Sequence, residues 1–281
     1  MIFCAVVVWY NPDYQSVKNI LQYNSLCSKV FIIDNSSNDN SNFAKQIKNA
    51  IYYPNFKNLG IATALNQGCE QGLINNFEWC MTMDQDSSWN KNDLNEYLKL
   101  IEKNSDQKIV SFAPIHSNEI KSVFGDVRNK NLKKTKEDSK FPDKVMTSGN
   151  IINLEIWEKI GKFNSELFID EVDHEFCYRL KNNGYKICEF QNILMIHTLG
   201  NVKRTFLPRP CKHSGVRLYY IFRNIFYIKK YYPNYFKKNG YKKYMIISFI
   251  QKFAEFKFKD LLYILQGIKS AKNDILGPYN K

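Results

Sequence analysis

Three features of this 281-residue chain predict an α/β protein built on a doubly wound, mostly parallel sheet. Short apolar runs of strand length alternate with segments whose apolar residues recur every three and four positions. Several of those runs end in clusters of Asp, Asn and Ser, and in such sheets ligands collect at the carboxyl ends of the strands. Hydrophobic residues at 44%, with 15% aromatics, supply a substantial core and exclude a largely disordered chain.

Strands are expected at Ile2–Val8, Val30–Ile33, Ile51–Tyr53, Trp79–Met83 and Ile109–Phe112. Between them, Val17, Ile20 and Leu21 mark one helix face, and Ile61, Leu65, Cys69 and Leu73 another. Residues 119–145 carry lysines with little apolar periodicity and are expected to form a mobile loop. Strand character resumes in "VMTSGNIIN" (145–153). The segment 168–185 predicts a helix with Val172, Phe176 and Leu180 on one face, Asp170 as N-cap and Gly184 as stop. A last short strand is expected at 193–200, leading to His197 and Gly200. There is no internal repeat and no low-complexity segment.

No stretch approaches 18 apolar residues, and "IFCAVVVWY" at the start is too short to span a bilayer and has no signal-peptide flanks. The seven cysteines are far apart, without a C-x-x-C, so they are expected to be reduced core residues of a cytosolic protein rather than a disulfide framework or zinc site. The net charge of +13 is localised. Residues 1–200 carry 22 Lys and Arg against 24 Asp and Glu, whereas residues 201–281 carry 18 against 3. A near-neutral body with a basic, aromatic tail implies two parts, 1–205 and 206–281.

The segment "MTMDQDSSW" (81–89) places Asp84 and Asp86 one residue apart at the end of a hydrophobic run. Along a strand, side chains two apart point the same way, so both carboxylates can approach one cation. Few hard oxygen ligands, with room for water and phosphate, suit Mg²⁺ or Mn²⁺. The alternative is a solvated turn. Asp34 and Asn35 end the second strand, where carboxylates meet bases and riboses in nucleotide sites. Asn58 and Gly60 in "NLGIATALNQG" stand at a helix start, whose free N–H groups favour an anion. Taken singly, each is equally a turn or a packing residue.

In order, "VVVWYNP", "IIDNSS", "NLGIATALNQG", "MDQDS", "SGNIIN", "DEVDHEFCYR" and "IHTLG" resemble family 2 glycosyltransferases with the A-type glycosyltransferase fold, over residues 2–200. The "DQDS" segment together with "HSGVRLYYIFRNIFYIKKYYP" (213–233) resembles the bacterial rhamnosyltransferase branch, whose members build cell-surface polysaccharides. The resemblance implies a Rossmann-like sheet flanked by helices, a C-terminal basic helical appendage and an inverting transfer from a nucleoside diphosphate sugar. It assigns Asp34 to the base, Asp84 to the ribose side, Asp86 to the metal on the diphosphate, His197 to the metal site and Asp173 to the catalytic base, with Asp170 as substitute. The donor pocket is then expected to include Tyr10, Asn11, Asp34, Asn35, Asn58, Gly60, Asp84, Gln85 and Arg217. The metal would sit on Asp86, Asp84 and His197; Ser148 and Gly149 are expected to line the donor or acceptor pocket, and Trp89 to offer a face to a sugar ring. Such a transfer needs a cation to neutralise the leaving diphosphate and a carboxylate to take the acceptor's proton.

Several of these residues carry a second local reading. Asp173 lies in a first helical turn, where free N–H groups stabilise any carboxylate by about 0.3–1 kcal/mol. His197 on an apolar strand is otherwise a core histidine, Ser148 and Gly149 a strand-edge turn, and Trp89 a core aromatic. Imidazole also suits manganese better than magnesium.

In the tail, cations alternate with aromatic and apolar residues at helical intervals, broken at Pro233 and Gly240. Such segments lie in a membrane interface, where each basic residue near anionic headgroups contributes on the order of 1 kcal/mol. The other reading packs the stripe on the catalytic domain, with Arg217 and Arg223 meeting phosphates. The function expected is transfer of rhamnose from dTDP-rhamnose to a polyprenyl-linked glycan at the inner face of the cell membrane, by a cytoplasmic, peripheral enzyme that binds no nucleic acid. Its rivals are a galactofuranosyl- or hexosyltransferase using a UDP-sugar, a sugar-1-phosphate nucleotidyltransferase and a basic nucleic-acid-binding protein. The nucleotidyltransferase would want a glycine-rich loop with a basic residue near the first strand, and "VVVWYNPD" has none.

Overall fold

The computed structural model describes residues 1–118, 138–197 and 213–279. The elements in chain order are β1 (Phe3–Trp9), α1 (Tyr14–Leu21), β2 (Lys29–Asp34), α2 (Ser41–Ala44), β3 (Ala50–Pro54), α3 (Ile61–Ile74), β4 (Trp79–Asp84), β5 (Ser87–Ser88), α4 (Lys91–Glu102), β6 (Ile109–Asn118) and β7 (Ser139–Lys140). There follow β8 (Asn150–Asn153), α5 (Leu154–Lys159), α6 (Val172–Asn182), β9 (Lys186–His197) and four C-terminal helices, α7 (Val216–Tyr231), α8 (Pro233–Lys238), α9 (Tyr241–Ala254) and α10 (Phe258–Lys272).

One sheet runs in the order β3-β2-β1-β4-β8-β6-β9-β5, with β7 added beside β9. Strands β3, β2, β1 and β4 are mutually parallel, as are β6 and β9. Strand β8 enters antiparallel between β4 and β6. All seven residues of β1 are buried. A strand covered on both faces reads as a continuous apolar run, which explains why β1 was legible. Alternate residues feed opposite layers: Phe3, Ala5, Val7 and Trp9 pack with Val17, Ile20, Leu94 and Tyr97, while Cys4, Val6 and Val8 pack with Leu65, Trp157 and Phe176.

Three local expectations are corrected. Helix α6 begins at Val172 and its N-cap is Glu171, which makes no side-chain capping bond; Asp170 instead adopts φ +64° and spends its carboxylate on Arg217. The last strand begins at Lys186, because polar Glu189 and Gln191 sit where β9 meets β7 and hide its strand character. Strand β4 ends at Asp84, so Gln85 and Asp86 form the turn into β5 and the two-residue alternation does not hold for Asp86. Most of 119–145 lies outside the described residues, as do Gly200 and Cys211, while the other six cysteines are unpaired and buried.

The C-terminal helices add a third cluster to the core. Leu218, Ile221, Phe222, Ile225 and Ile228 of α7 pack with Tyr178 of α6, Tyr241 of α9 and Leu261 and Ile264 of α10. Gly267 allows α10 to lie directly on α7, since a β-carbon there would stand 2.4 Å from the Tyr219 carbonyl oxygen. Among the described residues, no helix is long and apolar enough to cross a membrane.

Candidate active site

The carboxyl ends of β1, β2 and β4 are stitched together by their own polar residues. Gln85 reaches across to β1: its Oε1 accepts from Tyr10 N at 2.8 Å, and its Nε2 donates to the Tyr10 carbonyl at 3.2 Å. Asn11 N donates to Ser36 Oγ at 2.7 Å, tying the first strand end to the second. Tyr10 is itself exposed, with its ring outside the core.

Asp34 is only 1% exposed and already holds four donors. Ser36 N (2.8 Å) and Ser36 Oγ bind one oxygen; Asn40 Nδ2 and Tyr52 Oη, both at 2.8 Å, bind the other. A carboxylate offers about four lone-pair sites, so Asp34 organises the 34–40 loop and has no acceptor left for a base in this conformation. Asn35 is also buried, donating to the Gly60 carbonyl at 3.0 Å and accepting from Asn55 at 2.9 Å.

The start of α3 differs from the expected anion site. Gly60 N donates to Asn58 Oδ1 at 3.0 Å, and Ile61 N to the Phe168 carbonyl at 2.7 Å, so these N–H groups are used within the protein. Gly60, at φ +85°, admits Phe168 so closely that a β-carbon would lie 2.6 Å from its carbonyl oxygen.

At β4, Asp84 is held by Ser148, whose Oγ donates to Asp84 Oδ2 at 2.7 Å and accepts from Asp84 N at 2.9 Å. Ser87 Oγ lies 3.0 Å from Ser148 Oγ and 3.5 Å from Asp86 Oδ1, and Asp86 itself is exposed. The residue before Ser148 holds the next acid: Thr147 N and Oγ1 donate to Asp173 Oδ2 at 3.2 and 3.4 Å. Consecutive residues of one turn therefore bring Asp84 and Asp173 together, although 89 positions separate them in the sequence. His116 Nε2 contacts the Ser148 carbonyl at 2.7 Å and braces that turn.

Among the described residues, Ser148, Gly149 and Trp89 are buried. Ser148 is buried beneath Asp84, Gly149 packs against Met195, Pro114 and Trp89, and Trp89, 0% exposed, stacks on Tyr97 at 5.3 Å between ring centroids. Of the three, Ser148 holds an acid directly. His197 pairs through its backbone with Ser87, beside the Asp84–Asp86 turn, and its side chain lies outside the described residues.

Asp170, the substitute base, is gripped by Arg217 of α7 through Nε at 3.1 Å and Nη2 at 2.9 Å. Burial raises the Asp170 carboxyl above its ordinary value even against this guanidinium. Behind Asp173 lies a polar network. His174 Nδ1 is 2.9 Å from Glu171 Oε2, which also accepts from Tyr241 Oη; Lys144 lies 3.5 Å from His174 and 3.4 Å from Tyr241 Oη. Burial opposes the charged imidazole of His174, but Asp173 and Glu171 outweigh it and raise its pKa. Burial likewise opposes the Glu171 carboxylate, and His174, with Lys144 and Tyr241, outweighs it and lowers its pKa.

The donor chemistry at the end of β4 fits a divalent cation in part. Asp84 and Asp86 offer hard oxygens on one turn, yet among the described residues no three His, Cys, Asp or Glu are grouped to hold a metal alone. A cation there would take its remaining ligands from a diphosphate and water.

A sheet with its parallel half in the order 3-2-1-4 and acids gathered at the carboxyl ends of those strands has the layout of an α/β nucleotide-binding scaffold. Residues 14–151 match the model for glycosyl transferase family 2, so the chain carries a glycosyltransferase domain of that description. It is 29% identical to the dTDP-rhamnosyl transferase RfbF of Shigella flexneri, over 79% of this chain and 78% of the relative. The crystal structure of GalNAc-T7 with UDP, GalNAc and Mn²⁺ superposes with a TM-score of 0.61 at 14% identity, covering 84% of this chain and 50% of that one. S. aureus TarS 1-349 in complex with UDP superposes with a TM-score of 0.55 at 14% identity, covering 100% of this chain and 93% of that one. Likenesses this remote in sequence establish the fold.

Residues that sequence reasoning missed are Thr147, His116, the Glu171–His174–Tyr241 network and Asn224. Only the Arg223–Asn224 pair left a signal, as a charge and an amide inside the apolar run "LYYIFRNIFYI".

Proposed function

We propose that this glycosyltransferase moves rhamnose from dTDP-rhamnose to a hydroxyl of a polyprenyl-linked glycan, inverting the anomeric centre, as a cytoplasmic enzyme peripheral to the inner membrane face. The carrying observation is the turn at Thr147–Ser148, whose consecutive residues bond Asp173 and Asp84. The rhamnosyl donor is supported by the similarity to RfbF.

Asp173 takes the proton of the acceptor hydroxyl as that oxygen attacks the anomeric carbon; the bond from that carbon to the diphosphate breaks and dTDP leaves. Thr147 and the first turn of α6 orient the carboxylate. Asp170, engaged by Arg217, serves as a charge partner beside it. Asp84, Asp86 and His197 would hold Mg²⁺ or Mn²⁺, which when bound neutralises charge on the diphosphate. The buried bonds of Asp34 and Asn35 fix the rim of the nucleotide pocket, with Tyr10 and Asn11 beside it.

The membrane reading draws on the outer helices. Ile246, Phe249, Ile250 and Phe253 lie on one exposed face of α9, Phe258, Leu262 and Leu265 on one face of α10, and Phe256 is 78% exposed between them. Exposed Lys242, Lys243, Lys259 and Lys269 accompany them, matching an anionic bilayer.

The test is dTDP release from dTDP-rhamnose by Asp86→Ala. Activity should fall at least a hundredfold and lose its response to added Mn²⁺. Equal turnover of the variant with and without chelator, near the parent's rate, would sink the metal assignment.

A further inference from the structure

We propose that Arg223 and Asn224 of α7 are positioning residues for catalysis, clamping in a strained shape the loop that presents Asp170 and Asp173. The inference rests on the reading of Asp173 as base and adds a function to residues that bond the loop's backbone and neither acid's carboxylate.

The loop over residues 166–171 is held against its own preferences. Phe168 (φ +64°, ψ −63°) forms a tight turn in which Ile169 N donates to the Leu167 carbonyl at 2.7 Å, the rare mirror-image γ-turn. Asp170 and Glu171 follow at φ +64° and +62°. Non-glycine residues in such conformations persist only where their surroundings over-determine them, and they cluster at functional sites.

Here the surroundings are α7. Arg223 and Asn224 are each 0% exposed. Arg223 Nη2 donates to the carbonyls of Glu166 (3.1 Å) and Leu167 (2.8 Å), and Nη1 to that of Gly277. Asn224 Nδ2 faces the carbonyls of Leu167, Ile169 and Asp170 at 3.0, 2.8 and 2.8 Å. Arg223 Nε braces the amide through Asn224 Oδ1 at 2.9 Å. The one carbonyl of residues 166–170 outside this set, that of Phe168, accepts from Ile61 N of α3. Each carbonyl of the segment thus has a donor, and nearly two turns earlier on α7 Arg217 takes the Asp170 side chain. A buried guanidinium whose Nη donors go to one loop and to Gly277, and whose Nε holds Asn224, is committed to shape rather than to phosphate.

The experiment compares Asn224→Ala, Asp173→Asn and the double variant, measuring dTDP release from dTDP-rhamnose with an extract of bacterial polyprenyl-linked glycans as acceptor. Asn224→Ala should lose 10- to 100-fold in kcat while the KM for donor changes less than threefold and dTDP alone still raises its Tm. The double variant should be no slower than Asp173→Asn, because the clamp acts through that carboxylate. Hydrogen exchange should quicken across residues 166–171 and not at α3. Parental kcat in a folded Asn224→Ala, or losses that multiply in the double variant, would overturn the clamp. Full turnover by Asp173→Asn would instead sink the base assignment, and the clamp would then be judged on the kcat of Asn224→Ala alone. If Asn224→Ala does not fold, Arg223→Lys carries the same test, with a three- to tenfold loss in kcat expected and parental kcat again counting against the clamp.

Discussion

Helix α7 and the α9–α10 pair are drawn from the same basic, aromatic stretch, yet they face opposite ways. Helix α7 packs against the loop before α6 and ends its arginines, Arg223 and Arg217, on backbone carbonyls and Asp170. On α9 and α10, Tyr241, Ser248, Leu261 and Ile264 turn inward, while Phe249, Ile250, Phe253, Leu262 and Leu265 remain outside. The difference teaches that a uniform composition holds two roles, one completing a catalytic core and one leaving an apolar face beside lysines. A boundary at residue 205 therefore separates segments by charge but not by packing, because α7 shares hydrogen bonds with the loop before α6.

The largest effect that would break this contrast is on stability. Ile264→Ala, at a fully buried position, should cost about 2–5 kcal/mol in urea denaturation. Phe253→Ser, at 61% exposure, should stay within about 0.5 kcal/mol. Equal losses at the two positions would mean that the outer face packs on something within the chain.

Next in size is membrane binding. Withdrawing a Phe from an acyl boundary forfeits about 1.5–3 kcal/mol. The pair Phe253→Ser with Phe256→Ser should therefore lower affinity for anionic vesicles at least tenfold in flotation. Preference of the parent for an oligonucleotide over those vesicles at matched ionic strength would count against the membrane face.

The smallest effect lies at the seam between the two regions, where Tyr241 at the start of α9 and His174 of α6 share Glu171 Oε2. The folded protein raises the His174 pKa above 6.5, so the native state binds more protons than the unfolded chain just above that value. Its contribution to stability is then full below pH 6.5 and is lost as pH rises through the folded value, at no more than about 1.4 kcal/mol per pH unit. Thermal denaturation should show a higher Tm at pH 6 than at pH 8.5, and His174→Gln should remove that part of the slope. An unchanged slope in the variant would place the titration elsewhere.

The parallel strands were legible because burial on both faces writes an uninterrupted apolar run, as in Phe3–Trp9. The acids of the site were legible as carboxylates at strand ends. Their assignments were less so. Asp34 looked like a ligand and is saturated by Ser36, Asn40 and Tyr52, because a side chain's partners come from loops that sequence does not place. Asp170 looked like a cap because propensity assumes ordinary backbone, whereas the loop is bent into left-handed conformations that only external donors sustain. The two-residue strands β5 and β7 carry too few residues for any periodicity.

By itself the sequence determined the α/β class, the parallel strands, the resemblance to a family and the acids at the strand ends, since these depend on local pattern and on short motifs. The tertiary structure alone decided which acid touches which donor, which half of the basic tail is core and what bonds the loop before α6. Those outcomes depend on hydrogen bonds between residues dozens of positions apart, such as Asn224 with Asp170 or Ser148 with Asp84. The free energy of such bonds exists only once the chain has brought both partners out of water together.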